Sequence, residues 1–181
     1  MGDRAELMVD ANGAYRRAEA IGKAHAFAQH GVTWFEEPVS SDDLEGLRYV
    51  RDHEPAGMQT AAGEYGYDPI YFRRMLEARA VDVLQADATR CLGITGFLAA
   101  SRLCQAFGVP LSAHTSPSLH LHPACAATPL LHVEYFHDHA GIEQMLFDGF
   151  CPPVRGALRP DRTRPGIGVE LKSTDAESYA I

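Results

Sequence analysis

The sequence of 181 residues lacks the features that mark membrane, secreted or nucleic-acid-binding proteins. No apolar run approaches the roughly 20 residues that cross a bilayer, and the opening MGDRAELMVD has no signal-peptide core. The formal net charge is −8 and no basic run is interleaved with aromatic residues, which argues against binding to a phosphate backbone. We therefore expect a cytoplasmic protein whose partners include neither nucleic acid nor a membrane.

The sequence also lacks the spacings of disulfide frameworks and zinc sites. The four cysteines form no CxxC pair and lie in apolar segments, so we interpret them as reduced, buried thiols. They are Cys91, Cys104, Cys125 and Cys151. No HExxH or Cys–His spacing is present, so the paired histidines of the second half are interpreted as loop or packing residues, with room for some at the rim of a site. These are His120, His122, His137 and His139.

What the chain does contain is a regular alternation of short apolar runs and amphipathic stretches. Strands are expected at residues 6–9, 32–35, 58–62, 81–85, 110–113 and 130–135. Helices are expected at 15–30, 41–50, 69–79, 94–107 and 117–127. Residues 137–165 are expected to be mostly loop, and 166–172 to form a last strand. Strands that alternate with helices predict parallel βαβ units.

Two architectures have this alternation, and a missing motif favours one of them. An open doubly wound sheet usually carries a glycine-rich phosphate loop after its first strand. Here that position reads DANGAY, with a single glycine. We therefore favour an α/β fold of the TIM-type (β/α) barrel class. Such a barrel closes with eight strands and only six are visible, so the prediction is an incomplete barrel of about six βα units.

Six acidic or imidazole residues each end one of the apolar runs, 20 to 28 residues apart. They are Asp10, Glu36, Glu64, Asp87, His114 and Glu134. In a parallel barrel the carboxyl ends of all strands share one rim, so these side chains are expected around one cavity. Three carboxylates there suit a hard divalent cation, and a histidine beside an aspartate suits proton transfer. The alternatives are acids that simply face solvent and a His–Asp pair with a structural role.

Short motifs around these residues resemble the barrel domain of the enolase superfamily, in its mandelate racemase/muconate lactonizing enzyme branch. The motifs are DAN at 10–12, WFEEP at 34–38, GE at 63–64, QADATRCLGIT at 85–95, SAH at 112–114 and HVE at 132–134. Their order and spacing are kept over essentially the whole chain. The resemblance therefore implies an enolase C-terminal domain-like fold.

The resemblance also implies roles for individual residues. The implied Mg²⁺ ligands are Asp10, Glu36 and Glu64, with Glu37 supporting them from behind. The implied catalytic residues are His114, Asp87 and Glu134, in which Asp87 orients the base His114 and Glu134 hydrogen-bonds the substrate carboxylate. The implied substrate-binding residues are Asn12, Arg90 and Tyr65.

The implied activity is Mg²⁺-dependent abstraction of the proton alpha to a carboxylate, on a small-molecule carboxylate such as a sugar acid. Dehydration is favoured over racemisation, because racemisation needs a second base and no Lys-x-Lys motif precedes Asp10. The resemblance further implies a homo-oligomer.

The family's N-terminal capping domain and first two barrel strands have no counterpart in the sequence. We therefore expect residues 1–155 to form a partial barrel, and residues 156–181 a tail that packs on the cap in the family. Such a chain is expected to have weak activity or none. The alternative is a truncated, non-catalytic remnant, or a metal-binding module that associates with itself through its unpaired strands.

Overall fold

The computed structural model describes residues 5–180 as a curved sheet of six parallel strands with helices against its outer face. Residues 1–4 and 181, which belong to the two predicted domains, lie outside the described part of the chain. The strands of the sheet are β1 (Leu7–Asp10), β2 (Val32–Glu36), β3 (Gln59–Ala62), β4 (Val83–Ala86), β5 (Leu111–Ala113) and β6 (Leu130–Val133). The helices between them are α1 (Arg17–Ala28), α2 (Leu44–His53), α3 (Pro69–Glu77), α4 (Gly93–Phe107) and α5 (Pro117–Ala126).

The strands lie side by side in chain order, from β1 to β6, and every pairing is parallel. The sheet curls strongly, as the contact between inward side chains of its second and sixth strands demonstrates. The ring centroids of Trp34 on β2 and His132 on β6 are 5.1 Å apart. Ala61 and Val83 fill the space beneath Trp34. The prediction of an incomplete (β/α) barrel is thus confirmed.

Alternation along β2 explains how one short strand serves both the core and the site. Trp34 and Glu36 point into the barrel, whereas Phe35 points outward and is fully buried under α1. The rings of Phe35 and Phe27 meet edge to face, with centroids 5.4 Å apart. The main hydrophobic core therefore lies between the sheet and the helices, and it holds the strand ends in fixed positions.

Local signals set the helix boundaries that the sequence predicts. The carboxylate of Asp68 accepts a hydrogen bond from the backbone N–H of Tyr71, at 2.8 Å, and Pro69 opens α3 behind this cap. Helix α4 ends at Gly108, whose φ of 68° lies in the left-handed region that glycine adopts without strain. The turn into β5 follows directly.

The region after β6 differs from the sequence prediction. Residues 137–146, which were expected to be loop, form helix α6 (His137–Leu146). The expected last strand shrinks to β8 (Glu170–Leu171), which pairs antiparallel with β7 (Phe147–Asp148), and α7 (Ser173–Glu177) follows it. Hydrogen bonds with the α5 segment hold α6, since the Glu143 carboxylate accepts from Ser118 Oγ at 2.6 Å. A tertiary contact of this kind leaves no periodic signal in the sequence.

The two outer strands, β1 and β6, each have one hydrogen-bonded neighbour among the described residues. Residues on or just after these two strands line a cavity of about 210 Å³, among them Met8, Asp10, Glu134 and Phe136. Between residues 5 and 180, no helix combines the length and the apolar character that a membrane span needs.

Candidate active site

The register of the sheet brings the candidate residues to one rim. Asp10 pairs directly with Glu36 across β1 and β2. Asp87, His114 and Glu134 are the first residues beyond β4, β5 and β6. The backbone N–H of His114 donates to Ala86 O, and that of Glu134 donates to Ala113 O, both at 3.0 Å. Neighbouring strands therefore end level with one another.

The structure brings the two members of the predicted dyad into contact. Nδ1 of His114 lies 3.0 Å from Oδ2 of Asp87. The other oxygen of Asp87, Oδ1, accepts from both N and Oγ1 of Thr89, each at 2.7 Å. Burial alone would raise the pKa of Asp87, but the hydrogen bonds from His114 and Thr89 outweigh it and hold that pKa below its usual value. Asp87 is thus an anchored carboxylate that fixes one ring nitrogen of His114.

The second ring nitrogen of His114 faces a predicted metal ligand. Nε2 lies 2.9 Å from Oε2 of Glu64. Burial acts to lower the pKa of His114, but the hydrogen bonds with Asp87 and Glu64 raise it to about 10. Burial likewise acts to raise the pKa of Glu64, and its contacts with His114 and Arg90 lower it overall. In this arrangement the pair is an imidazolium and a carboxylate.

Arg90 and Tyr65 form one side of the same rim. Nη1 of Arg90 donates to Glu64 Oε1 at 3.1 Å and to Glu64 O at 3.2 Å. The guanidinium lies over the ring of Tyr65, 5.1 Å from its centroid. Arg90 therefore binds a metal-ligand candidate directly, and the half-exposed Tyr65 ring extends from it towards solvent.

On the opposite side, Glu36 and Glu134 each accept a hydrogen bond from a buried side chain. Glu36 Oε2 accepts from Trp34 Nε1 at 2.9 Å, and Glu134 Oε1 accepts from Gln85 Nε2 at 2.7 Å. Burial, followed by the charge of Glu134, raises the pKa of Glu36 to about 7. Burial also raises the pKa of Glu134, and the hydrogen bond from Thr115 N is one of the contacts that oppose it. A raised pKa favours the protonated form of Glu134, which is the form that the predicted hydrogen-bond donor needs.

Asp10 and Glu37 complete the acidic group. Asn12 donates from its backbone N–H, at 2.8 Å, and from its amide to the two oxygens of Asp10. Glu37 is 1% exposed, and its Oε1 has no hydrogen-bond partner among the described residues. Burial, then the charges of Glu64 and Asp10, raises the pKa of Glu37 to about 8. The carboxylates at this rim therefore repel one another.

The carboxylates of Asp10, Glu36 and Glu64 have the chemistry of ligands for a hard cation, but their side chains do not converge on one point in this structure. Across residues 5–180, no group of three or more His, Cys, Asp or Glu side chains is gathered closely enough to hold an ion. Asp10, Glu36 and Glu64 nonetheless bring carboxylate oxygens to the rim at the ends of three consecutive strands, and burial, with a smaller contribution from the charge of Glu64, raises the pKa of Asp10. A cation would relieve that repulsion. Glu64 would have to turn away from His114 and Arg90 to reach it.

A cavity of about 480 Å³ adjoins this acidic group. Its lining is rich in hydroxyl, amide and carboxyl groups: Asn12, Glu37, Ser41, Asp42, Tyr65 and Tyr67. Both hydrogen-bond donors and acceptors are present, together with three tyrosine rings, since Tyr71 also lines the cavity. Such a lining suits a polyhydroxylated ligand.

Two residues of the site, Gln85 and His120, have no individual site role in the sequence prediction. Gln85 lies two positions before Asp87 on β4 and so points to the same face, a period-two signal that identifies it in retrospect. His120 hydrogen-bonds behind the dyad, and its place on α5 gives no such signal.

Comparison with known proteins is consistent with this geometry. The family model for enolase C-terminal domain-like proteins matches residues 1–176. The chain belongs to this family. A solved mandelate racemase/muconate lactonizing enzyme-like protein from Rubrobacter xylanophilus is 51% identical to this enolase-type domain, with a TM-score of 0.95 over 99% of this chain and 50% of that one.

Two further proteins are similar to this enolase-type domain. An enolase from Bradyrhizobium, solved with magnesium and mandelic acid, is 25% identical, with a TM-score of 0.91 over 100% of this chain and 48% of that one. L-galactonate dehydratase from Hypocrea jecorina is 27% identical over 96% of this chain and 40% of its own length. The domain thus spans about half the length, or less, of these proteins.

Proposed function

We propose that this enolase-type domain supplies the site for dehydration of a sugar acid, with His114 as the base that removes the proton alpha to the carboxylate. The contact between His114 Nδ1 and Asp87 Oδ2, at 3.0 Å, carries the proposal. It fixes the ring so that Nε2 faces the rim. The same nitrogen can then return the proton to a hydroxyl on the next carbon, which leaves as water.

Each group has a defined part in the order of reaction steps. When Glu64 turns from His114 towards the cation, the hydrogen bond with Asp87 remains and that with Glu64 is lost, so a neutral His114 presents a free Nε2. Nε2 then takes the alpha proton, and the electron pair of the broken C–H bond passes into an enediolate. Glu134 donates a hydrogen bond to a carboxylate oxygen, where negative charge develops. His114 then gives its proton to the β-hydroxyl as the C–O bond breaks, and the resulting enol becomes a 2-keto-3-deoxy acid. Mg²⁺, held by Asp10, Glu36 and Glu64, would supply electrostatic stabilisation of the enediolate.

Three observations favour a sugar acid and dehydration. The relative from Hypocrea jecorina is a dehydratase of a sugar acid. The adjoining 480 Å³ cavity presents several hydroxyl and amide groups to a hydroxylated chain. The two lysines of the sequence lie away from the rim. Lys23, on α1, lies over the ring of Tyr15, and Lys172, in the tail, donates to Gln144 O. His114 is therefore the basic side chain best placed for proton transfer.

The test follows the alpha proton directly. A panel of aldonic and aldaric acids is incubated with Mg²⁺ in D₂O, and NMR measures both exchange at the alpha carbon and formation of 2-keto-3-deoxy products. The assay is run on this chain and on any longer polypeptide that contains it. We expect exchange that His114→Gln abolishes. If neither preparation exchanges any acid of the panel while binding Mg²⁺, the proposal is wrong.

A second candidate function is self-association, because the free strand edges carry exposed apolar side chains. Met8 near one edge and Leu131 and Phe136 near the other are 47%, 48% and 41% exposed. Unpaired edges of this kind favour pairing with another chain. Analytical ultracentrifugation tests this, and a monomer at every concentration measured would count against it.

A further inference from the structure

The imidazole of His120 connects the two loops that carry the candidate dyad. Its side chain is fully buried on α5 and packs against the ring of Phe97, with centroids 5.1 Å apart. Nε2 lies 2.9 Å from the backbone nitrogen of Ala88, which follows Asp87. Nδ1 lies 2.9 Å from the carbonyl oxygen of Thr115, which follows His114.

These partners determine the hydrogen positions on the ring. A backbone N–H can only donate, so Nε2 of His120 must be the acceptor from Ala88. A carbonyl can only accept, so Nδ1 must carry the hydrogen and donate to Thr115 O. The ring is therefore neutral, with both nitrogens used. No nitrogen remains for substrate or metal.

The loop after His114 needs such an anchor. Thr115 and Ser116 have φ angles of 46° and 39°, in the left-handed region that is unfavourable for side chains other than glycine. Two consecutive residues in this region persist only where surrounding contacts hold them. His120 Nδ1 also lies 3.1 Å from Ser116 O, so one imidazole contacts the carbonyls of both residues.

We propose that His120 is a positioning residue, which sets the distance between Asp87 and His114 by bridging the backbone segments that follow them. This inference rests on the proposed function only for its consequence in catalysis. The bridge itself is a feature of the fold. A change of about 1 Å at a reacting group can reduce a rate by about 100-fold, so a loosened bridge would affect proton transfer before it affects binding.

Four variants separate positioning from packing. His120→Phe keeps the ring volume against Phe97 and removes both hydrogen bonds. His120→Asn can keep a donor to Thr115 O, and His120→Gln can keep an acceptor for Ala88 N. His120 lies two residues before the half-buried His122 on the same helix, so His122→Ala is the matched control.

The first readout does not depend on activity. A histidine N–H that is buried and bonded to a carboxylate gives a proton resonance far downfield, and the His114 Nδ1–H signal is assigned by its loss in His114→Gln. We expect this signal to be lost or displaced in His120→Phe, intermediate in the Asn and Gln variants, and unchanged in His122→Ala. A His120→Phe spectrum identical to that of the wild type, in a folded protein by circular dichroism, would overturn the inference.

The second readout is the split between rate and binding. We expect His120→Phe to lower alpha-proton exchange about 10- to 100-fold, while Mg²⁺ affinity and substrate KM change less than about twofold. Equal losses in rate, KM and metal affinity would indicate a purely structural residue and contradict the inference. If the wild type shows no exchange, the proposed function fails, and the NMR readout still decides the role of His120.

Discussion

His114 and Glu64, to which the sequence assigns different tasks, are in direct contact, with 2.9 Å between Nε2 and Oε2. The base candidate and a metal-ligand candidate thus share a charge interaction that the motifs alone do not reveal. Arg90 holds the other oxygen of Glu64 at 3.1 Å. Glu64 therefore has cationic partners, whereas the hydrogen-bond donors to Asp10 and Glu36 among residues 5–180 are neutral.

This contact leads to a prediction for cation binding. Asp10→Asn, Glu36→Gln and Glu64→Gln each remove one negative charge from the acidic group, so each should weaken Mg²⁺ or Mn²⁺ binding by about tenfold or more. Isothermal titration or Mn²⁺ electron paramagnetic resonance measures the affinity. Glu45→Gln is the control, because the side chain of Glu45 is 90% exposed. Affinities equal to the control in all three variants would refute a site at this rim.

The interior of the half-barrel should depend on Trp34. Trp34→Phe keeps most of the ring but removes the hydrogen bond from Nε1 to Glu36 Oε2, so we expect it to lower the free energy of unfolding by about 1 kcal/mol. Trp34→Ala also leaves a cavity above Ala61 and Val83 and should cost about 3–5 kcal/mol. Urea unfolding measures both changes. Circular dichroism is the probe, because both variants remove the single tryptophan and with it the fluorescence signal.

A substitution outside the barrel interior is the control for the Trp34 variants. Leu131→Ala, at a position 48% exposed, should change stability by less than about 0.5 kcal/mol. If Trp34→Ala were as mild as Leu131→Ala, the contact between the second and sixth strands would contribute nothing to the curl of the sheet.

At the far end of the sheet, Glu54 makes stability depend on pH. Burial raises the pKa of Glu54 from 4.5 to about 8, against the hydrogen bond that its Oε2 accepts from Thr60 Oγ1 at 2.7 Å. Because the folded state holds the proton more tightly than the unfolded chain, this contribution to stability is complete below pH about 4.5. It is lost progressively as the pH rises to about 8.

Glu54→Gln removes that dependence, because the amide can still accept from Thr60 and carries no charge. We expect the wild type to lose Tm between pH 5 and pH 8.5 relative to this variant, as measured by thermal unfolding in a series of buffers. Glu45→Gln should follow the wild type. Parallel Tm curves for wild type and Glu54→Gln would show that Glu54 has no such role.

Much of this architecture could be predicted from the sequence because it depends on local patterns. The six apolar runs became the six strands, and the acid or imidazole that ends each run lies at one rim. Helix α6 was missed, because its sequence HDHAGIEQML has three polar residues in its first turn and a glycine directly after that turn. Tertiary contacts such as Glu143 to Ser118 hold it instead.

The arrangement within the site could not be read from the sequence, since it depends on side-chain direction. Whether Glu64 faces a cation or His114 is a matter of rotamer, which strand patterns do not fix. His120 was interpreted as a loop or packing residue, and its two hydrogen bonds arise only once α5 is folded against the loop after Asp87. Long-range contacts of this kind need the fold.

The last prediction sets helix propensity against packing at Gly96 in α4. Alanine is favoured over glycine inside a helix by about 1 kcal/mol, so propensity alone predicts that Gly96→Ala stabilises the protein. A Cβ at Gly96, however, would lie 1.5 Å from the carbonyl oxygen of Cys91, in the loop that follows Asp87. Backbone cannot yield as a flexible side chain does, so the loop must move. We expect a net loss of about 2–3 kcal/mol.

Gly22→Ala in α1 is the matched comparison, because a Cβ there meets nothing within 4 Å. This variant should gain about 0.5–1 kcal/mol, since only propensity and unfolded-state entropy act. Urea unfolding of both variants gives the two free energies, and the His114 Nδ1–H resonance should move in Gly96→Ala alone, because the displaced loop carries Asp87. Equal stability of the two variants would mean that α4 does not hold the Asp87 loop in place.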